Sequence, residues 1–223
     1  MTYEELLDVV EAIERGDNRH RRLSRAEKAR IQARPNALVQ AIAPRENQLR
    51  IEDFTWGFPI DGGKKTVFNT RIESALQGSR MWGNALRDGR CILPVASFFE
   101  PHATETSLSP RTGKPVKRQY EFFGCSRERI GDNDESTPSD VERLPLLLAS
   151  IHDGERLSVV TTEPNASVAP VHPRMPLVLR FEEVATWLHG DFATLADRSD
   201  IALGAQPETP AAPPSAQLSL FES

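Results

Sequence analysis

A chain of 223 residues with 39% hydrophobic and 26% charged side chains is long enough to bury one sizeable core, and its net charge of -5 with a pI of about 5.6 argues against an extensive, non-specific nucleic-acid surface. Screening confines charge effects to about 10 Å, so a small DNA pocket built on a local basic cluster stays open. No apolar run approaches the roughly 20 residues of a membrane span, the acidic start Met1-Thr2-Tyr3-Glu4-Glu5 is unlike a signal peptide, and Cys91 and Cys125 show no ligand spacing, so the expectation is a monomeric cytoplasmic protein without metal or cofactor.

Residues 2–13 place Leu6, Val9, Val10 and Ile13 at helical spacing behind an acidic first turn, the pattern of an amphipathic helix. Ser24 with Glu27 three residues on marks the start of a second helix. The run holding Arg21, Arg22, Arg25, Lys28 and Arg30 reads as a solvated face in preference to a phosphate contact. Short β-like runs follow at 37–43, 48–54 and 66–68, then a short helix at 80–87 and a long apolar strand at 91–99. Strands at 116–123, 144–151, 157–162 and 177–179 precede a helix at 182–188. Many short strands with few βαβ units predict an α+β fold built on a curved, mostly antiparallel, barrel-like sheet with peripheral helices. Residues 131–143 are a polar insertion. From Gly204 onward, Pro207, Pro210, Pro213 and Pro214 among Ala, Ser and Thr read as a disordered tail, which gives one domain over 1–203 and a tail over 204–223.

Three stretches put a polar or ionisable residue at the end of an apolar run: Asn69-Thr70-Arg71-Ile72-Glu73-Ser74, Phe98-Phe99-Glu100-Pro101 and Val171-His172-Pro173-Arg174-Met175-Pro176. An amide, a carboxylate and an imidazole gathered at one sheet rim make a proton-handling site, and Arg71 and Arg174 beside them make it anion-binding, which suits a phosphate-bearing substrate. Singly, each residue has a plainer reading: Asn69 as a turn residue, Glu100 as a surface carboxylate, His172 as a loop histidine, Trp56 as core. Glu73 reads as half of a structural ion pair with an arginine.

In order along the chain, Trp56-Gly57-Phe58-Pro59, Asn69-Thr70-Arg71-Ile72-Glu73-Ser74-Ala75, Gly89-Arg90-Cys91-Ile92-Leu93-Pro94 with Phe98-Phe99-Glu100, Thr161-Thr162-Glu163-Pro164-Asn165-Ala166 and His172-Pro173-Arg174-Met175-Pro176 resemble the SOS response-associated peptidase family, also called abasic-site processing proteins, over roughly residues 36–188. The resemblance implies a shield for abasic sites in single-stranded DNA during the DNA-damage response. In the family the α-amine of an N-terminal cysteine attacks the open-chain aldehyde of the abasic sugar, and the thiol then closes a thiazolidine. Carried over, Asn69 positions the sugar or amine, Glu100 manages protons on the amine, and His172 assists ring opening and proton transfer. Arg71 and Arg174 hold flanking phosphates, and Trp56 offers a base-stacking face.

The family opens Met-Cys-Gly-Arg, whereas this chain opens Met1-Thr2-Tyr3-Glu4. Hydroxyl closure from Thr2 would be poorer than thiol closure, because sulfur is the better nucleophile. The helix periodicity of the opening leads us to expect a missing upstream strand of about 5–10 residues that bears the cysteine. Whether the chain is an enzyme, with peptidase or lyase-like chemistry, or a non-catalytic adaptor stays open at this point. Finally, Gln217-Leu218-Ser219-Leu220-Phe221 resembles the peptide by which bacterial repair proteins dock on the replication sliding clamp. Leu218, Leu220 and Phe221 would supply the apolar contacts and Gln217 the register. That partner implies a location at the nucleoid.

Overall fold

The computed structural model describes residues 1–16, 32–46, 48–78, 81–125 and 143–209. The helix expected after Ser24, nearly all of the 131–143 insertion and the motif at 217–221 lie outside the described residues.

The opening periodicity forms helix α1, Tyr3–Arg15. The Thr2 hydroxyl accepts the Glu5 N–H at 3.2 Å while the Glu5 carboxylate accepts the Thr2 N–H at 2.8 Å, so two donors at the helix start are satisfied reciprocally. Leu6, Val9 and Val10 are buried, and Gly16, at φ 62, ends the helix in the left-handed region.

Strands β1 (Leu38–Arg45), β2 (Gln48–Trp56), β3 (Phe58–Ile60), β4 (Lys65–Val67) and β5 (Asn69–Arg71) lead into α2 (Ile72–Leu76) and α3 (Gly83–Asp88). After them come β6 (Arg90–Val95), β7 (Phe98–Leu108), β8 (Pro115–Cys125), β9 (Arg143–Leu144), β10 (Leu146–His152), β11 (Arg156–Thr162), β12 (Met175–Pro176) and β13 (Val178–Leu179). Helix α4 (Val184–His189) and β14 (Leu203–Pro207) follow. In the main sheet β11 pairs with both β2 and β10, and through β1 and β6 the strands close into a ring. Every pairing in it is antiparallel except those of β11 with β2 and β5, which makes the expected curved, mostly antiparallel sheet. A second sheet runs β14-β8-β7 with β9 on β8.

Both faces of β6, β10 and β11 are buried along most of their length, and β10 is correspondingly apolar over most of its residues. Alternate residues feed two clusters. Ile42, Ile92, Leu147, Ile151 and Val160 pack with Val9, Val10 and Trp187 of the helices, while Cys91, Leu93, Leu148 and Val159 pack with Phe98, Phe122 and Met175. The Trp187 indole N–H donates to the Cys91 carbonyl at 2.8 Å, tying α4 to β6.

Two boundaries differ from those the sequence predicts. The run expected as one strand over 91–99 is broken after Val95, because β6 lies in the ring and β7 in the second sheet, so the chain changes partner between them. The stretch expected as tail from Gly204 opens in a strand, since Leu203–Pro207 pairs with β8. Gly204 permits this: a Cβ there would lie 2.3 Å from the Phe123 ring.

Candidate functional site

Strand β5 is three residues long, and its alternation decides what each residue does. Thr70 points inward, where its hydroxyl lies 2.8 Å from that of Ser158. Asn69 and Arg71 are therefore on the opposite, exposed side. Their position is fixed by parallel pairing to β11, Asn69 opposite Val159 and Arg71 opposite Thr161. Beside them the Trp56 indole is half buried. Its N–H donates to the Phe68 carbonyl at 2.9 Å and its ring meets the exposed Phe68 ring edge-on at 5.7 Å.

The loop carrying His172 is folded by Asn165, a buried amide. Its Oδ1 accepts the Ser167 and Val168 N–H groups, and its Nδ2 donates to the Ile201 carbonyl. The His172 N–H then donates to Val168 at 3.0 Å, which turns the imidazole toward β7. There His172 Nδ1 lies 3.4 Å from a carboxylate oxygen of Glu100, with the side chains 27% and 14% exposed. Nδ1 is also 2.9 Å from the Arg174 carbonyl, which only accepts, so that contact puts the proton on Nδ1 and makes Nε2 the acceptor of the neutral ring. The Arg174 N–H approaches the same nitrogen at the longer distance of 3.3 Å.

Glu100 has the most shifted carboxyl of the site. Burial pushes its pKa up to about 7, against an opposing pull from the charge of His172. A carboxyl in that range both donates and accepts protons near neutrality.

Arg174 is more occupied than its sequence context indicates. Its guanidinium grips Glu73 through two parallel bonds of 2.9 and 2.8 Å, donates to Glu163 at 2.7 Å and to the Thr161 carbonyl at 3.0 Å. The expected ion pair of Glu73 with an arginine is this one, and it holds the Glu73 carboxyl below the usual range. Arg71 is exposed and, among the described residues, carries no ion pair.

The structure thus brings Glu100 and His172 together and ties Arg174 to His172 through the backbone. Asn69 makes no hydrogen bond to either one. Glu163 and Thr161, as partners of Arg174, had no individual signal in the sequence beyond lying in the Thr161–Ala166 motif. Among the described residues no cluster of three His, Cys, Asp or Glu side chains is arranged to hold a metal, and no helix is long and apolar enough to cross a membrane.

Residues 4–211 match the family model described as SOS response associated peptidase (SRAP). The chain belongs to this family. The SRAP match runs well beyond both ends of the 36–188 stretch over which the motifs are spread. A protein from Bordetella bronchiseptica of solved structure aligns at a TM-score of 0.56 and 19% identity over 82% of this chain and 90% of its own. A phage-related protein from the same organism aligns at 0.54 and 18% over 82% and 85%. A protein from Bacteroides thetaiotaomicron aligns at 0.51 and 17% over 77% and 74%. At these identities the solved structures establish similarity of fold alone. No curated protein matches the sequence. Membership of the SRAP family places this chain in a DNA-damage context.

Proposed function

We propose that this SRAP chain captures abasic sites in single-stranded DNA, with Glu100 and His172 moving protons at the ring-opened sugar. The observation that carries the reading is the 3.4 Å approach of His172 to a carboxyl pushed up to about 7. Opening the sugar requires a base to take the anomeric hydroxyl proton and an acid to protonate the ring oxygen. A carboxyl and an imidazole in contact supply both roles. If an amine then adds to the aldehyde carbon, the carbinol oxygen must leave as water, and protonated Glu100 is the group that gives it the proton. Asn69 and Arg71, sharing one exposed edge, bind the sugar and its phosphate. Arg174 reaches the other phosphate by releasing Glu163, whose side chain is 78% exposed. Trp56 with Phe68 forms the face on which a neighbouring base stacks.

The test is incubation with a single-stranded oligonucleotide bearing one abasic site, compared with the intact oligonucleotide, and with a version of the protein carrying a cysteine-bearing strand upstream. Selective binding that survives denaturation supports capture. Selective binding lost on denaturation in every form supports the alternative, a non-catalytic adaptor. Equal binding to both oligonucleotides overturns the proposal. Arg71→Glu is expected to weaken binding about tenfold and to lower its salt dependence.

The second partner proposed is the bacterial replication sliding clamp, docked by Gln217, Leu218, Leu220 and Phe221. Tethering there raises the local concentration of the domain at exposed single strands, and it puts the protein at the nucleoid. Leu220→Ala with Phe221→Ala is expected to abolish clamp pulldown while leaving DNA binding unchanged. Undiminished pulldown removes this partner.

A further inference from the structure

The register of β7 against β8 breaks between Pro101 and Thr106, so residues 102–105 bulge from the ladder just beyond Glu100. The Ala103 N–H, freed from the ladder, donates to the Val171 carbonyl at 2.9 Å, one residue before His172. One bulge therefore touches both halves of the Glu100–His172 pair, although they come from distant parts of the chain.

The bulge is fastened by side chains with no part in the chemistry described above. Glu105 accepts from Arg118 Nη1 at 2.9 Å and from the Tyr120 hydroxyl at 2.8 Å, and lies 3.5 Å from His102 Nε2. His102 Nδ1 accepts the Glu105 N–H at 2.9 Å and the Thr104 N–H at 3.2 Å, satisfying two backbone donors inside the bulge. Arg118 Nε donates to the Thr209 carbonyl at 2.8 Å, which adds the strand-end segment after β14 to the same knot. Tyr120 sits directly opposite Glu100 in the ladder.

We propose that Glu105, with His102, Arg118 and Tyr120, is a positioning device that clamps the β7 bulge against the His172 loop and so sets the approach of Glu100 to His172. The cluster is not a ligand site, because its carboxylate and both imidazole nitrogens are already engaged within the protein. Arg118 first, and Tyr120 next, hold the Glu105 carboxyl below its usual range, so the clamp stays charged where Glu100 titrates. The perturbations of Glu100 come from burial and His172, with none from Glu105. Tyr120→Phe alters no charge at neutral pH, so a response of Glu100 to that variant has to travel through geometry.

The inference rests on Glu100 and His172 being the working pair, and the experiment separates the two. The Glu100 side-chain carboxyl is titrated by carbon-detected NMR, and exchange of the Ala103 amide proton is followed, in the wild type, Glu105→Gln and Tyr120→Phe. Tyr120→Phe removes one hydroxyl and keeps the ring, which guards against loss of fold in the first variant. With the clamp loosened, water reaches Glu100, and its titration midpoint is expected to fall by about 0.5 or more on the pH scale, with Ala103 exchange at least about tenfold faster. An unchanged or raised Glu100 midpoint in folded variants overturns the proposal. An ordinary Glu100 midpoint in the wild type would instead sink the proton-handling reading, and the clamp would then stand or fall on Ala103 exchange alone.

Discussion

Glu100→Gln is expected to be more stable than the wild type at pH 8, by roughly 3 kcal/mol at most, and to melt about 5–10 °C higher. The cause is the free energy of holding a carboxylate where burial opposes it. Its pKa rises from 4.5 to about 7 on folding, and each tenfold weakening of the acid corresponds to about 1.4 kcal/mol. Below pH 4.5 the carboxyl is neutral in folded and unfolded chains alike and its contribution to stability is fully present. Between 4.5 and about 7 the unfolded chain is ionised while the folded one holds its proton, so that contribution falls away and is gone once pH has risen through 7. Glutamine keeps the shape without the charge, so the gain of the variant over the wild type should be near zero at pH 4, appear between 4.5 and 7, and level off above. Urea melts at pH 4, 6 and 8 measure it, and a gain independent of pH would remove burial as its cause. The same variant should lose proton transfer, slowing capture of abasic DNA about 10²–10⁴-fold. The two outcomes together, a gain in stability and a loss of capture, would mark Glu100 as a working carboxyl.

The central ring strands β6, β10 and β11 were legible because burial on both faces writes itself as largely apolar runs; β10 and β11 needed no partner to be seen. The break between β6 and β7 was not, since residues 91–99 carry no interruption strong enough to mark a change of sheet. Strand β14 was hidden for a different reason. Gly204, Gln206 and Pro207 have little β-propensity, and the strand exists because β8 offers an edge and Gly204 lets the Phe123 ring approach. Of the candidate residues, Glu100 and His172 stood out as lone polar groups at strand or loop ends, and their contact is long-range. The bulge cluster was out of reach: Tyr120 and Arg118 alternate along β8 like any half-exposed strand, and what makes them matter is a register shift at residues 102–105 that no local pattern announces.

Arg174→Ala is expected to cost about 2–3 kcal/mol and to impair capture even though Glu100 and His172 are left in place. A fully buried arginine–carboxylate pair would lose about 3–5 kcal/mol on losing one partner. The figure is lowered here because Glu73 and Glu163 are 42% and 78% exposed and solvent screens them. The guanidinium joins α2 through Glu73, β11 through the Thr161 carbonyl and the following turn through Glu163. Lysine has one point of donation where that geometry needs a fork, so Arg174→Lys should recover less than half of the loss. Arg174 also meets His172 Nδ1 with its own carbonyl, so releasing the side chain frees the backbone that orients the imidazole. The Glu73 carboxyl, held low by Arg174 first, contributes stability above its unfolded pKa, and this is lost as pH falls through the folded one; in Arg174→Ala that acid-side loss should shrink, with a backbone hydrogen bond and the Arg71 charge sustaining the rest. A double-mutant cycle with Glu73→Ala isolates the pair, with a coupling of about 1–2 kcal/mol expected at pH 7 and less at pH 3. Additivity within about 0.5 kcal/mol at pH 7 would mean that the fork is incidental, and that Arg174 holds the His172 loop through its backbone alone.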